Sequence, residues 1–369
     1  MFSLTTTKKI SLIILLLCTL LAVYASFQFE LRTQTVGKII SETNLQTEKQ
    51  VDEHGNSDET TQQQLNLLIL NHDLKGKMVT IQNSYSTSQV KDHKYHKNEY
   101  VFLQVESKNE ELSGHIIELK RDHYLILLTS LLLLILILMS DLSGLLTFFS
   151  FLVNGLLLSG IFLWYQKINS HLLVLLFLIT IPILVTLTLT IANGWNKKTQ
   201  LAIFTTLIGS LLTFLIGFVV ITLLSHKGLH YEEMELVTRP PQILFLSSLL
   251  IGCIGAVMDV AITIISSLFE LIETKHMITS SELKKAGTQI GEDIMGPMIN
   301  IMFFSYLSGA IPLVLIFLKN QMSFNYTFSI VLSLEIARAL VGSIGIILAI
   351  PLTIHLTLFV FKRRKLNEC

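Results

Sequence analysis

The residues that could do chemistry in this 369-residue chain are few, and they sit where charge is costly. Asp259 interrupts an apolar run from Ile243 to Leu271, in Gly252-Cys-Ile-Gly255-Ala256-Val-Met-Asp259-Val-Ala. An ionised side chain within a membrane span costs about 2.5–3.5 kcal/mol on insertion scales, so it must face protein, water or a partner. Gly252, Gly255, Ala256 and Asp259 recur at intervals of three and four, which lines small side chains along one helical face and continues it with a carboxylate. That face suits close helix packing. It equally suits a titratable or cation-binding group, and the functional reading is favoured because ionisable groups inside spans serve function by default.

A second stretch, Gly291-Glu292-Asp293-Ile-Met-Gly296-Pro297-Met-Ile-Asn300, places Gly-Pro inside an apolar run. Proline removes one backbone donor and clashes one turn back, so a broken or kinked helix is expected there. Interrupted helices line cavities in transporters, which makes Gly296, Pro297 and Asn300 a candidate binding wall. Glu292 and Asp293 are expected as first-turn carboxylates favoured by the helix dipole. A third stretch carries Glu335 and Arg338, three apart and able to pair on one face, followed by Gly342, Ser343, Gly345 and Pro351. From Tyr326 to Phe361 a helix would run roughly 50 Å, too long for one simple crossing. Either Leu340 to Phe361 crosses with Glu335 and Arg338 on an outer amphipathic turn, or the helix breaks and the pair enters the membrane. Spacing leaves open whether Asp259 meets Arg338.

Enzyme signatures are absent. The chain has no His-Glu-x-x-His, no Walker lysine loop, no Gly-x-Gly-x-x-Gly after a strand and no Gly-x-Ser-x-Gly elbow. Asp259 lacks the second mid-span aspartate of an intramembrane protease. Ser343 reads as a packing residue, since His355 lies about three turns away on the same helix. No catalytic activity and no cofactor are expected.

These residues must be positioned by a membrane protein. Only 15% of the chain is charged and 51% is hydrophobic, which excludes a soluble globular enzyme. Residues 30–123 hold 11 of the 27 Lys/Arg and 15 of the 27 Asp/Glu, so one polar segment interrupts an apolar chain. Net charge is zero and no basic stripe is present, so nucleic acid is not a partner. The three cysteines, Cys18, Cys253 and Cys369, lie outside the polar segment, which excludes a disulfide-stapled fold.

Eight apolar runs reach or approach the roughly 20 residues that a helix needs to cross a bilayer. They are approximately Ile10–Phe27, Tyr124–Met139, Leu142–Leu163, Leu172–Ile191, Leu201–Leu224, Ile243–Leu271, Met295–Leu318 and one between Phe328 and Phe361. Lys and Arg at the ends and short loops divide eleven against four, placing both termini in the cytoplasm. Val23-Tyr24-Ala25 resembles a signal-peptidase site, but the preceding run is long and an uncleaved anchor is favoured.

Within the polar segment, residues 42–64 are rich in Gln, Glu, Thr and Asp and are expected to form a disordered loop. Thr35–Ile40, Leu65–Leu70, Met78–Gln82, Tyr100–Val105 and His115–Leu119 show period-2 alternation, so about five strands are expected in a small barrel. His93 and His96 fit an exposed Lys-rich loop better than a metal site, and so does the cluster from His226 to Glu235.

Taken in order, the costly residues resemble the YibE/F family of bacterial multi-pass membrane proteins. The resemblance rests on Tyr231-Glu-Glu-Met-Glu235, Gly252 to Ala261, Gly291-Glu-Asp-Ile-Met-Gly296, Asn300, Tyr306-Leu-Ser-Gly309, Glu335, Arg338-Ala-Leu-Val-Gly342-Ser-Ile-Gly345 and Pro351. Pro297 departs from it, since the family favours Thr there. The resemblance implies an integral membrane protein with a small extracytoplasmic domain and suggests transport without naming a substrate.

The expected architecture is an all-α polytopic membrane protein of about eight transmembrane helices, some broken, with a small extracytoplasmic β-rich domain. Residues 1–29 are the anchor, 30–123 the outer domain and 124–369 a seven-helix membrane domain with a short basic cytoplasmic tail. The expected function is a secondary transporter or channel-like permease for an unknown small solute or ion, with Asp259, Asn300, Gly296, Pro297, Glu335 and Arg338 as its site. Gly252, Gly255, Ala256, Gly342 and Gly345 would serve helix packing. The alternative is a non-transporting scaffold or envelope-assembly component, acting through the outer domain. The lipid bilayer and a homo-oligomeric or paralogous membrane partner complete the expected surroundings.

Overall fold

The structure, a computed structural model, describes residues 6–53, 55–89, 92–108, 111–165, 172–225, 227–234, 240–275 and 278–368. The chain divides into two compact units, residues 1–145 and 146–369. It is mostly helical, with one small antiparallel sheet.

In the first unit, α1 (Thr6–Ser26) runs antiparallel to the first part of α2 (Asp122–Tyr165). Phe27 packs against His123 at one end, and at the other Lys8 Nζ donates to the Leu138 carbonyl at 3.1 Å. Between them the chain builds β1 (Thr35–Val51), β2 (Ser57–Ile69), β3 (Met78–Ser86), β4 (Tyr100–Lys108) and β5 (Glu111–Leu119), ordered β3-β2-β1-β4-β5. All five alternating stretches are strands. Their inward residues Ile39, Leu65, Leu67, Ile69, Val79, Ile81, Val101 and Leu103 form the sheet's core. The edge strands β3 and β5 come alongside one another without a hydrogen-bonded ladder, so the sheet curls but is not a closed barrel.

Residues 42–64 are not a disordered loop. They complete a long β1–β2 hairpin, paired from Gly37↔Ile69 to Val51↔Ser57 and closed by a turn in which Asp52 N–H donates to the Asn56 carbonyl and Gly55 adopts φ +77°. A polar ribbon can hold without a core of its own because the ladder satisfies its backbone and polar residues pair across it, as Thr47 and Thr61 do with hydroxyls 3.1 Å apart. β3 extends the support, since it pairs along β2 as far as Thr60↔Ser86.

Where β5 hands over to α2, Lys120 is buried, with its ammonium 5.2 Å from the Phe27 ring centre, 5.9 Å from that of Phe29 and 3.5 Å from an Asp122 oxygen. Arg32 holds the same carboxylate at 2.5 Å. Burial lowers the Lys120 pKa, and the neighbouring Asp122 opposes that shift. α2 is helical throughout, yet a Cβ on Gly144 would lie 2.7 Å from the Leu136 carbonyl oxygen. Residues eight apart on a straight helix are about 12 Å apart, so the chain doubles back here, between the two expected apolar runs.

The second unit contains α3 (Leu173–Asn193), α4 (Lys197–Leu223), α5 (Pro241–Thr274), α6 (Ser280–Lys319) and α7 (Phe324–Glu368). α5 lies centrally, burying Phe245, Leu249, Val257, Val260, Ile264 and Leu268 against its neighbours. Close approach relies on glycine. A Cβ at Gly209 would stand 2.8 Å from Val257, and one at Gly217 2.8 Å from Val341. Buried threonines are tolerated because Thr205 and Thr213 donate to carbonyls one turn back.

Neither α6 nor α7 is broken. α6 starts at a capping box, in which the Thr279 hydroxyl accepts from Glu282 N–H and Glu282 accepts from Thr279 N–H. It runs through Gly296-Pro297 and Pro312 to Lys319, since each proline forfeits a single donor and leaves the remaining ladder to carry the helix. α7 likewise runs through Gly342, Gly345 and Pro351. Among the described residues, eight helical stretches are long and apolar enough to cross a bilayer.

Candidate functional site

α5, α6 and α7 carry every residue singled out above as a candidate. The 275–279 connection makes α6 antiparallel to α5, and Gly252 meets Tyr306, with its absent Cβ position 2.0 Å from the phenol oxygen. α7 runs parallel to α5, as Ser248 lies against Arg338 and Val257 against Gly345.

Toward the Pro241 end of α5, Arg338 is fixed from three sides. One guanidinium nitrogen donates to Glu335, Nε donates to Ser248 Oγ at 3.2 Å, and the guanidinium carbon stands 5.2 Å from the Phe245 ring centre. Arg338 and Glu335 are 15% and 23% exposed, so the pair is mostly shielded from solvent. Phe245 is fully buried and meets Tyr231 edge-on, and burial raises the Tyr231 phenol above its ordinary pKa. The connection before α5 docks on α7, where His230 N–H donates to Ser333 Oγ at 3.2 Å and its ring nitrogen lies 3.3 Å from Ser329 Oγ. His226 and Glu235 of that stretch lie outside the described residues.

Asp259 does not meet Arg338. Eleven residues of α5 separate it from Ser248, about 16 Å. It lies instead on the exposed side of α5, about 20° around the helix from Gly252, and its carboxylate has no hydrogen bond or ion pair among the described residues. Gly255 beside it has nothing within 4 Å of its Cβ position. Counting inward from the Gly252–Tyr306 contact, Asp259 stands level with Ile299 and Asn300. Asn300 and Gly296 are exposed, and Gly296 also borders open space. Pro297 leaves the Asp293 carbonyl without its helical donor. Gly342 lies against Met302 and Gly345 against Thr213 of α4, while Ala256 is half-buried against the α5–α7 core.

Glu292 and Asp293 are not first-turn residues. α6 begins at Ser280, so the helix dipole acts on Glu282 and Glu292 stands three turns further in. There it joins Lys284, Thr288, Met295, Pro351 and His355 around a groove of about 320 Å³ between α6 and α7. His355 Nδ1 lies 2.7 Å from the Pro351 carbonyl, which can only accept, so Nδ1 carries the proton.

Residues 128–363 match the family described as YibE/F-like protein, and residues 29–119 match the YibE/F family N-terminal domain. The chain belongs to the YibE/F family. The two matches cover the sheet and the helices after it, nearly the whole chain. No curated protein and no solved structure matches it.

In this YibE/F chain, sequence reasoning passed over Phe245 and Ser248, which hold Arg338. Both are uncharged members of the apolar run that Asp259 interrupts, although their spacing of three places them on one face. His93 and His96 are apart in role as well as position. His93 meets Tyr95 edge-on, and His96 Nδ1 lies 3.7 Å from a Glu42 oxygen.

Proposed function

We propose that this YibE/F chain is a secondary transporter or channel-like permease, with both termini in the cytoplasm and the sheet outside the cell membrane. The observation that carries the reading is Asp259, a carboxylate without a protein partner among the described residues inside the long apolar run of α5. Apart from Asp259, α5 has no charged residue between Gln242 and Phe269, and Asp259 stands about 5 Å from the middle of that run. The level of Arg338, at Ser248, is about 11 Å on the other side of the middle, so both charges fit within a hydrocarbon layer of about 30 Å. Such groups mark ion and substrate paths.

In this reading Asp259 is the ion-coupling carboxylate. Asn300, Gly296 and the Asp293 carbonyl freed by Pro297 form the binding wall, and Glu335 with Arg338 is a gate or charge-compensating pair. No side chain is assigned a catalytic role. The test is solute flux into proteoliposomes under a proton or cation gradient. Asp259→Asn is expected to abolish coupled flux while the protein stays folded. Normal flux by that variant overturns the role of Asp259.

A second reading, a non-transporting scaffold for envelope components, is favoured by the exposure of Asp259 and Asn300 on the helical surface. Under it, Asp259→Asn lowers assembly with no flux to lose, and deleting residues 42–122 removes the function.

A further inference from the structure

The side of the molecule formed by α5 and α6 is unfinished for a membrane surface. Asp259 and Asn300 are both exposed, and neither side chain has a hydrogen-bond partner among the described residues. Gly255 and Gly296 have nothing within 4 Å where a side chain would begin. Around them stand exposed Ile301, Phe303 and Phe304. Lipid tails offer no hydrogen bond to a carboxylate or an amide, and glycine-lined helices permit close backbone approach.

The register says what covers this face. The Gly252–Tyr306 contact aligns α5 and α6 in opposite directions, so residues whose numbers sum to about 558 lie at one depth. Asp259 therefore stands within a residue, about 1.5 Å, of the depth of Asn300. A two-fold axis along the membrane normal keeps depth unchanged, and an isologous interface sets each surface against its own copy. It brings Asp259 opposite the second copy's Asn300, and Asn300 opposite the second copy's Asp259. The amide donates what the carboxylate accepts.

We propose that α5 and α6 form the two-fold interface of a homodimer in which the Asp259 carboxylate of each copy accepts from the Asn300 amide of the other. The proposal rests on the membrane reading of these helices. It deepens the transport reading, because the wall around Asp259 is then completed by the second copy. A different membrane protein would need a matching donor at that depth, whereas this face already carries both halves of the pair.

The test uses the full chain with Cys18, Cys253 and Cys369 replaced by alanine, co-reconstituted in lipid vesicles as two differently tagged forms. One carries Gly255→Cys and the other Phe303→Cys, which share a depth and leave Asp259 and Asn300 in place. Mild oxidation is expected to give a disulfide between the two forms, with little product from either form alone. Native mass measurement of the wild type is expected to give two copies, and Asn300→Leu is expected to raise the monomer fraction about tenfold. Absence of the mixed disulfide in folded protein, or a monomeric wild-type mass, overturns the proposal. So does a cross-link to a different protein in native membranes. None of these readouts measures flux, so failure of the dimer and failure of transport are told apart.

Discussion

Arg338 illustrates why a charge in an apolar helix is held by several weak partners rather than one. Its guanidinium has five donors, and the structure supplies a carboxylate, a hydroxyl and an aromatic face. Removing one partner of a fully buried pair costs about 3–5 kcal/mol, and the partial exposure of both side chains reduces that to about 1–3 kcal/mol here. Arg338→Met is thus expected to lower the melting temperature in detergent, and Glu335→Gln added to it should recover part of the loss. A double-mutant cycle showing no coupling between the two positions would contradict this. Lys120 gives a pH dependence whose sign follows from its lowered folded pKa. Between that value and its ordinary 10.5 the unfolded chain binds more protons, so stability rises with pH across that window. Lys120→Met should flatten the rise, measured by thermal melting between pH 7 and 10. At this scale the sequence made the cost of Asp259, Glu335 and Arg338 plain, because charge in an apolar run is visible without structure. The pairing of Glu335 with Arg338 was legible as well, from their spacing of three, but the other partners of Arg338 were not. Ser248 and Phe245 are ordinary members of an apolar helix, and only the parallel register of α5 with α7 sets them against Arg338.

Elements were legible where one period dominated. The five alternating stretches became strands, and the apolar runs became helices. Residues 42–64 defied composition because a hairpin can be stabilised by its own ladder and by a neighbouring strand, neither of which leaves a hydrophobic trace. Pro297 signalled a break that did not occur, since a helix 40 residues long absorbs the donors missing at Pro297 and Pro312. Glycine contacts were partly legible. The spacing of Gly252, Gly342 and Gly345 drew attention to them, whereas Gly209 and Gly217 stand where α4 meets α5 and α7 without any pattern nearby. At Gly217 a methyl group would stand 2.8 Å from Val341 and 3.2 Å from Leu249, both on helices that cannot yield separately. Gly217→Ala is expected to cost about 1–3 kcal/mol, as overpacking does in well-filled cores. Val341→Ala in the same chain should restore much of it. Equal melting temperatures for the wild type and Gly217→Ala would show that α4 has room to move.

The path of the whole chain turns on α2. As a straight helix its 44 residues would reach about 66 Å, twice the hydrocarbon thickness, yet Gly144 approaches the Leu136 carbonyl and the helix doubles back. That doubling decides parity. In the proposed membrane reading the doubled path means three crossings between the β1–β2 turn and the connection between α3 and α4, which would put the two on opposite sides of the bilayer. Without it, two crossings separate them and they share a side. The proposed topology, counted from lysine and arginine at the helix ends, has the sheet outside and Lys197 inside, and it requires the doubled path. In a chain with the native cysteines replaced, Glu53→Cys is expected to react with a membrane-impermeant maleimide in intact cells, while Lys197→Cys reacts only after permeabilisation. Both positions are exposed, so access and not burial limits the reaction. Labelling of both in intact cells would mean that α2 crosses once. The eight-crossing path would then fail, and with it the assignment of both termini to the cytoplasm.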